Sequence, residues 1–285
     1  MYSISTKTAG EFSLPVFGLG TWKMGGERER DPNNDDTKDI KAIKKAIELG
    51  VTHIDTAEVY AAGHAEELVH EAIKDVPREK LFITTKVKGE NLKPFDLKRS
   101  MKASLKRLGL DHVDLYLIHW SSLDVPLKKT MPAMDYLLEH ELTKNIGVSN
   151  FDVPLVEEAA SLTKYKIVNN QIHYNLSARD YETNGTIEYC QKNNILVTAY
   201  RPLDKGVFAT GNNDILRRLA DKYQKPPSQI AINWLLSKPN IVTLVKTSNI
   251  DHLQENLGAL EWKLDDIDID DLNKHFPRGE TLHLP

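Results

Sequence analysis

The sequence predicts an α/β fold, namely a closed TIM (β/α)8 barrel that forms a single domain over residues 1–285. Amphipathic helix patterns alternate with short β-branched runs from about residue 36 almost to the end of the chain. The runs number eight and are apolar on both faces, as expected of the buried strands of a parallel barrel. No G-x-G-x-x-G follows the first run, which argues against a Rossmann domain, and no linker-like stretch divides the chain.

The individual elements are predicted in chain order. The first nine residues or so, before Ala9-Gly10-Glu11, are expected to form an N-terminal β-hairpin that caps the bottom of the barrel. The first helix has apolar residues at helical spacing and ends at Gly50, since glycine is a common stop signal. Its apolar positions are Ile40, Ile43, Ala46, Ile47 and Leu49. The predicted barrel strands are FGLGT (17–21), VTHI (51–54), LFITTK (81–86), VDLYLIH (113–119), KNIGVS (144–149), IVNNQI (167–172), ILVTAY (195–200) and IVTLVK (241–246).

Composition and charge exclude several classes of protein. Hydrophobic residues make up 40% and charged residues 27% of the chain, so it can bury a large core. The net charge of -4 comes from interleaved acidic and basic residues, which leaves no basic stripe for nucleic acid and no polybasic patch for a membrane. The N-terminus lacks the charged start and long apolar region of an export signal, so we expect a cytoplasmic protein. The single cysteine, Cys190, is expected to be a packed apolar residue.

Polar side chains end three consecutive predicted strands. Asp55, Lys86 and His119 follow strands two, three and four, and Tyr60 lies on the loop beyond Asp55. Each residue type alone is usually a cap, a solvated strand end or packing, but a TIM barrel brings the carboxyl ends of its strands to one rim. An ammonium beside a phenol lowers the pKa of the phenol, a carboxylate keeps the ammonium charged, and a neutral imidazole donates to a substrate oxygen. The sequence therefore predicts Tyr60 as a proton donor to a carbonyl oxygen.

An ordered series of motifs then covers nearly the whole chain. The motifs are GLGTW (18–22), HIDTAEVYAAGHAEELV (53–69), ITTKV (83–87), VDLYLIHW (113–120), GVSNF (147–151), NNQIHYN (169–175) and KTSNIDHLQEN (246–256). In these motifs the chain resembles the aldo-keto reductase superfamily. The resemblance implies a TIM barrel of the monomeric type that moves a hydride between nicotinamide and a carbonyl without metal or flavin. It also implies that Asp55, Tyr60, Lys86 and His119 form the catalytic tetrad.

The resemblance further implies a cofactor that lies across the barrel mouth. Ser149, Asn150 and Gln171 would hold the nicotinamide carboxamide, and Tyr200 would stack on its ring, although these amides could instead bond only to loop backbones. The other expected cofactor contacts are Thr21, Trp22, Asp55, Arg201, Leu203, Lys246, Thr247, Ser248, His252, Glu255 and Asn256. The expected substrate contacts are Trp22, Tyr60, His119 and Trp120.

Cofactor choice depends on the segment that begins at Lys246. An ammonium, two hydroxyl groups and free backbone N–H groups at the start of a helix are typical of a phosphate site. His252 stands where many members of the family carry an arginine, and Val245 replaces a common proline. We therefore predict NADP as cofactor, with NADPH preferred and NADH still usable. Arg201 departs from the usual Ser-Pro-Leu and could reach the pyrophosphate or pair with an acidic surface residue.

The leading functional prediction is an NADPH-dependent reductase of aldehydes or ketones, reversible as an alcohol dehydrogenase. One alternative is a non-catalytic nicotinamide-binding sensor or channel-associated subunit, because a fold alone does not fix a function. Another is a class I aldolase that uses Lys86 as a Schiff-base amine. The complete tetrad argues against the sensor, and Asp55 argues against the aldolase because it keeps the amine protonated. A monomer or weak homo-oligomer is expected.

Overall fold

A computed structural model describes residues 1–277 and contains a closed parallel barrel of eight strands, with an antiparallel hairpin before it. The predicted TIM barrel is thereby confirmed. The hairpin strands are β1 (Thr6–Ala9) and β2 (Phe12–Pro15). The barrel strands are β3 (Phe17–Gly20), β4 (His53–Asp55), β5 (Phe82–Val87), β6 (Leu115–Ile118), β7 (Ile146–Ser149), β8 (Ile167–His173), β9 (Leu196–Tyr200) and β10 (Ile241–Val245). Each strand pairs with its neighbours in chain order, and β10 closes the barrel against β3.

Helices cover the outside of the barrel. They are α1 (Asp36–Leu49), α2 (His64–Ile73), α3 (Pro94–Leu108), α4 (Leu127–Glu139), α5 (Val153–Ser161), α6 (Asp180–Thr183), α7 (Thr186–Lys192), α8 (Asp214–Tyr223), α9 (Pro227–Ser237), α10 (Ile250–Leu257) and α11 (Asp266–His275). The Asp35 side chain caps the start of α1, and Gly50 ends the helix in the left-handed region at φ 108°, as the predicted stop signal requires. No helix within residues 1–277 has the length and apolar character needed to span a bilayer.

The hairpin closes the bottom of the barrel. Phe12 and Leu14 pack with Leu115, Leu117 and other buried apolar side chains at that end. Lys7 on β1 donates to the carbonyl oxygens of Leu236, Lys238 and Ile241 at 2.7, 2.6 and 2.8 Å. The hairpin therefore seals the barrel with apolar side chains, and hydrogen bonds join it to the end of α9, the following residues and the start of β10.

Side chains alternate along each strand between the barrel interior and the surrounding helices, as β geometry requires. On β5, Ile83 packs in the main hydrophobic core and Thr85 donates to Glu66 on α2, whereas the next residue, Lys86, points into the barrel interior and contacts Asp55. Two consecutive residues of β5 therefore have different roles, because Thr85 contacts a surrounding helix and Lys86 belongs to the site. The observed strand ends lie within two residues of the predicted ones.

Candidate active site

Lys86 lies at the centre of the candidate active site, and its side chain is 0% exposed. Its ammonium donates to Asp55 Oδ1 at 2.5 Å, to the Thr56 carbonyl oxygen at 2.8 Å and to the Tyr60 hydroxyl oxygen at 3.3 Å. A lysine ammonium has three protons, so each of them is committed to one acceptor. The structure thus brings Asp55, Lys86 and Tyr60 together at the carboxyl ends of β4 and β5.

The direction of the Tyr60 pKa shift differs from the expectation. Burial raises the pKa of the Tyr60 phenol above its usual value and outweighs the opposing effect of the Lys86 ammonium. The predicted lowering of the Tyr60 pKa is therefore wrong, because a buried phenolate would lose more hydration than one ammonium restores. Burial alone would lower the pKa of Lys86, but Asp55 and Tyr60 raise it above its usual value. Both groups carry their protons at neutral pH.

The hydrogen of the Tyr60 hydroxyl is left available. The oxygen accepts from Lys86, and no acceptor for the phenol hydrogen occurs within residues 1–277. The ring of Tyr60 is in edge contact with Trp22, at 5.0 Å between centroids, and with His119, at 5.7 Å. The phenol is therefore fixed on both sides while its proton remains free to be donated.

His119 follows β6, where its backbone amide donates to the Val87 carbonyl oxygen at 2.9 Å. Burial lowers the pKa of His119 well below its usual value, and the positive charges of Lys86 and Arg28 act in the same direction. The imidazole is therefore neutral at neutral pH, and a neutral imidazole has one donor and one acceptor nitrogen. This state matches the predicted role of a hydrogen-bond donor to a substrate oxygen.

The turn that presents Tyr60 has an unusual backbone. Ala61 and Ala62 both lie in the left-handed region, at φ 50° and 53°, which is strained for residues other than glycine. Their amides donate to the carbonyl oxygens of Glu27 and Arg28, each at 2.7 Å. The loop after β3 therefore holds the turn in this conformation.

The predicted carboxamide site forms a connected network beside the tetrad. Gln171 Nε2 donates to Asp55 Oδ2 at 2.8 Å, and the Gln171 carbonyl oxygen accepts from Ser149 Oγ at 2.8 Å. Asn150 Nδ2 donates to Ser149 Oγ at 3.0 Å, and Asn150 Oδ1 accepts from the Tyr200 hydroxyl at 2.9 Å. Gln171 Oε1 has no donor within the described residues. An amide group could therefore bind here without displacing a contact of Gln171 Oε1.

Tyr200, Arg201 and Leu203 lie at and after the carboxyl end of β9. The Tyr200 ring stacks on His173 at 5.4 Å between centroids, with 9° between the planes. The guanidinium of Arg201 lies 5.9 Å from the centroid of Tyr200, and Arg201 makes no ion pair with residues 1–277. Leu203 is half-buried against the main core. The alternative in which Arg201 pairs with an acidic surface residue is therefore not observed in the described part of the chain.

The predicted phosphate site lies at the end of β10. Lys246 is exposed and donates to Ser248 Oγ at 3.2 Å, while Ser248 donates to Asp39 on α1 at 2.5 Å. Thr247 Oγ1 donates to the Asn249 carbonyl oxygen and accepts from the Asn249 amide. These contacts connect the loop before α10 to α1.

The start of α10 differs from the expectation of free backbone N–H groups. Asn249 caps the helix, and its Oδ1 accepts from the amides of Asp251 and His252 at 2.8 and 3.3 Å. Part of the predicted phosphate site is therefore already satisfied by this side chain, since asparagine is a strong helix cap. His252 is exposed, and Glu255 Oε1 accepts from Ser228 at 2.5 Å.

A cleft of about 390 Å³ adjoins Ser248. It is lined by Asp35, Thr37, Lys38, Lys41, Ser248, Asn249 and Ile250. The sequence analysis missed Lys38 and Lys41, although their spacing of three residues on one helix face could have indicated a basic surface. It also missed Arg28, which lies in an irregular charged segment where no periodicity predicts a position.

The remaining predicted contacts surround the mouth. Thr21 is buried and donates to the Asp55 carbonyl oxygen at 3.1 Å. Trp22 is half-buried against Tyr60, and Trp120, next to His119, is 37% exposed. The two tryptophans therefore offer apolar surface close to the polar groups of the tetrad.

Comparisons with known proteins identify the family of this chain. The model of the Aldo/keto reductase family matches residues 16–276, and the chain belongs to that family. It is 34% identical over 279 residues to methylglyoxal reductase YeaE of Escherichia coli strain K12, covering 96% of this chain and 95% of the relative. Glyoxal reductase of Bacillus subtilis strain 168 is 35% identical over 266 residues, covering 92% of this chain and 90% of the relative.

Solved structures indicate the same family and fold. A thermostable aldo-keto reductase in complex with the inhibitor epalrestat has a TM-score of 0.91 at 42% identity, covering 96% of this chain and 99% of that one. An aldo/keto reductase from Klebsiella pneumoniae, crystallised with NADP and acetate, has a TM-score of 0.87 at 30% identity, covering 99% and 98%. The resemblance stated from the motifs is confirmed, and the class is that of an NAD(P)H-dependent carbonyl reductase.

The residues present fit a nicotinamide cofactor. Gln171 Oε1 provides an open acceptor next to the hydroxyl of Ser149 and the amide of Asn150. At the other end, Asn256 is 3% exposed, and its side-chain amide has no hydrogen-bond partner among the residues that the structure describes. The amide therefore remains available to a ligand. The ammonium of Lys246 is exposed and suited to binding a phosphate group.

Proposed function

We propose that the protein reduces small aldehydes or ketones to alcohols, reversibly, with Tyr60 as the general acid. The observation that carries the proposal is the single free hydrogen of the Tyr60 hydroxyl, on an oxygen that already accepts from Lys86. Because the ammonium donates to this oxygen, the phenol must direct its own hydrogen elsewhere, toward a substrate oxygen. The nicotinamide, when bound, supplies the hydride.

Lys86 and Asp55 support the proton transfer in both directions. As the phenol gives up its proton, the developing negative charge lies 3.3 Å from the Lys86 ammonium and is stabilised by it. Asp55 fixes that ammonium at 2.5 Å and keeps it charged. In the reverse direction the same ammonium stabilises the phenolate that would accept a proton from an alcohol.

His119 positions the carbonyl oxygen in this proposal. Its imidazole is neutral because burial and nearby positive charge disfavour the protonated form. A neutral imidazole can donate one hydrogen bond to the oxygen without competing with Tyr60 for the role of acid. Trp22 and Trp120 provide the apolar walls of the substrate site.

The relatives narrow the substrate class. Methylglyoxal reductase and glyoxal reductase are named for small dicarbonyl compounds, so we include such compounds among the substrates of this chain. The partners in this proposal are small-molecule carbonyls or alcohols. Three expectations stay predictions: a single domain over residues 1–285, a cytoplasmic location, and a monomer or weak homo-oligomer. Residues 278–285 lie outside the described residues.

NADP is the proposed cofactor, with NADPH preferred and NADH usable. Ser149, Asn150, Gln171 and Tyr200 would hold the nicotinamide end, and Lys246 with Ser248 would hold the 2′-phosphate. His252 is a weaker partner than the arginine of many relatives because it lacks a permanent charge. The preference for NADPH is therefore expected to be moderate.

The two alternatives are less compatible with the observed contacts. An aldolase needs a neutral lysine amine, whereas all three protons of Lys86 have acceptors and Asp55 raises its pKa against the effect of burial. A non-catalytic sensor would not need a phenol hydrogen left free beside a neutral imidazole.

The direct test is NADPH oxidation by the purified protein across glyoxal, methylglyoxal, longer aldehydes, ketones and sugars, followed by the reverse reaction on the matching alcohols. We expect NADPH oxidation with at least one small aldehyde, and NADP reduction by its alcohol at high pH. If no carbonyl compound in the panel accelerates NADPH oxidation, the proposed function is wrong. Trapping of a substrate on Lys86 by borohydride would instead support the aldolase.

A further inference from the structure

The loop between β10 and α10 uses most of its side-chain donors on contacts within the protein. The Ser248 hydroxyl donates to Asp39 Oδ1 at 2.5 Å, and the Thr247 hydroxyl donates to the Asn249 carbonyl oxygen at 3.2 Å. A hydroxyl has one hydrogen to donate, so in this arrangement neither hydroxyl donates to a phosphate. Lys246 uses one of its three protons on Ser248 Oγ. Its ammonium is therefore the main donor of this loop for the 2′-phosphate.

The 2′-phosphate carries more negative charge than Lys246 can balance. A phosphate monoester has a charge of about −1.5 to −2 near pH 7. The sequence of α10, IDHLQENL, contains no lysine or arginine, and His252 lacks a permanent charge. A second fixed positive charge at this site must therefore come from another element.

Helix α1 contributes two lysines to the cleft beside this loop. Lys38 and Lys41 line the cleft of about 390 Å³ together with Ser248, Asn249 and Ile250. Both lysines are exposed, and their spacing of three residues places them on one face of the helix. Neither ammonium has a hydrogen bond or an ion pair within residues 1–277. The two ammonium groups are therefore available to an anion in the cleft.

The acidic groups near the cleft leave it with net positive charge. Asp35 caps α1 and accepts from the Lys38 backbone amide at 3.0 Å. Asp39 is buried, and both of its carboxylate oxygens accept hydrogen bonds, one of them from Ser248. Asp251 is exposed in the first turn of α10 and is not among the residues that line the cleft. The lining therefore contains two lysines and one carboxylate, a balance that favours an anion.

A chain of two hydrogen bonds links Lys246 to the helix that carries Lys38. Lys246 donates to Ser248 Oγ, and Ser248 donates to Asp39, the residue after Lys38. Desolvation lowers the pKa of Lys246, Asp39 opposes this effect, and the positive charges of Lys38 and Lys23 lower the pKa further. Lys23 has an ion-pair partner, whereas Lys38 has none within the described residues. Ammonium groups that repel each other are stabilised when an anion binds close to both.

We propose that Lys38 binds the 2′-phosphate of NADPH together with Lys246, so that a lysine of the first helix supplies the charge that His252 lacks. This inference rests on the proposed preference for NADPH and adds a residue that contributes to it. Lys38 determines cofactor specificity and takes no part in hydride or proton transfer.

The test is fluorescence titration with NADPH and with NADH, which differ only in the 2′-phosphate. The measured quantity is the ratio of the Kd for NADH to the Kd for NADPH. We expect Lys38→Met to lower this ratio about threefold to fivefold through a higher Kd for NADPH, because one exposed charge pair contributes up to about that factor. The Kd for NADH should stay unchanged. Lys38→Arg should keep the wild-type ratio, since arginine restores the charge and also binds phosphate.

Lys44→Met is the matched control. It removes the same charge from an exposed position of α1 that does not line the cleft, so the wild-type ratio should persist. An unchanged ratio in Lys38→Met, or an equal fall in Lys44→Met, would overturn the assignment and leave carbonyl reduction standing. Equal weakening of both cofactors in Lys38→Met, or a larger fall in Lys41→Met, would also overturn it. A wild type that binds neither cofactor would contradict the proposed function, and the inference with it.

Discussion

Lys86 uses its three protons on a carboxylate, a backbone carbonyl and a phenol, and this distribution determines what each neighbour can do. Asp55 is held as a counter-ion, and the Tyr60 oxygen is held as an acceptor. The phenol hydrogen is then the mobile proton of the group. Burial raises the pKa of Tyr60, so the proton stays on the phenol until a substrate oxygen develops negative charge.

The directions of the pKa shifts predict the pH dependence of carbonyl reduction. Tyr60 must be protonated to act, and its raised pKa means that loss of activity begins only as pH rises past the usual tyrosine value of about 10. His119 has a pKa well below about 6.5, so it does not titrate near neutrality. The rate of reduction in single-turnover experiments should therefore be constant from about pH 6 to about pH 9. A step in that range would show that a group of the site titrates there.

At the scale of elements, residues on regular strands were predictable and residues on loops were less so. The period-2 alternation of β5 places Lys86 in the barrel interior, and the carboxyl ends of parallel strands meet at one rim. The sequence therefore indicated Asp55, Lys86 and His119 as neighbours. The left-handed conformation of Ala61 and Ala62, which brings the turn after β4 into contact with the loop after β3, has no signal in side-chain periodicity.

Cofactor choice is expected to depend on the loop that joins β10 to α10. Lys246 is exposed, bonds to Ser248, and lies beside a cleft lined by Lys38 and Lys41. Lys246→Met should raise the Kd for NADPH about tenfold and leave the Kd for NADH nearly unchanged, because only NADPH carries the 2′-phosphate. Fluorescence titration of both cofactors measures this, with exposed Lys44→Met on α1 as the control. Equal weakening of both cofactors would place Lys246 elsewhere than at the 2′-phosphate.

The hairpin at the barrel bottom is expected to contribute to the free energy of unfolding without affecting activity. Lys7→Met removes the donor to three carbonyl oxygens. The free energy of unfolding should fall by about 1 to 3 kcal/mol, and Tm by roughly 3 to 8 °C, with kcat unchanged. Denaturant titration measures the first quantity. Lys192→Met should change stability by only about 0.5 kcal/mol, since Lys192 forms an exposed ion pair. A Lys7→Met protein as stable as the control would show that the hairpin contact is dispensable.

For the whole molecule, the eightfold alternation of helix and strand was sufficient to predict the barrel. The predicted and observed strand ends differed by up to two residues. Residue types at the end of a strand resemble those inside it, so the sequence does not show where backbone pairing with the neighbouring strand stops. The direction of the Tyr60 pKa shift could not be predicted from the sequence pattern. The sequence shows that Lys86 and Tyr60 are near each other, but the raised pKa of Tyr60 follows from burial, which only the assembled barrel creates.

The central claim is that Tyr60 donates the proton, and single-turnover reduction by Tyr60→Phe tests it most directly. The variant with bound NADPH is mixed with methylglyoxal, and NADPH oxidation is followed, while fluorescence titration gives the Kd for NADPH. The account predicts a Kd within about twofold of wild type and a rate of hydride transfer that is about a hundredfold to ten-thousandfold lower, as expected for lost general acid catalysis. A Tyr60→Phe protein that transfers hydride at the wild-type rate would contradict the account.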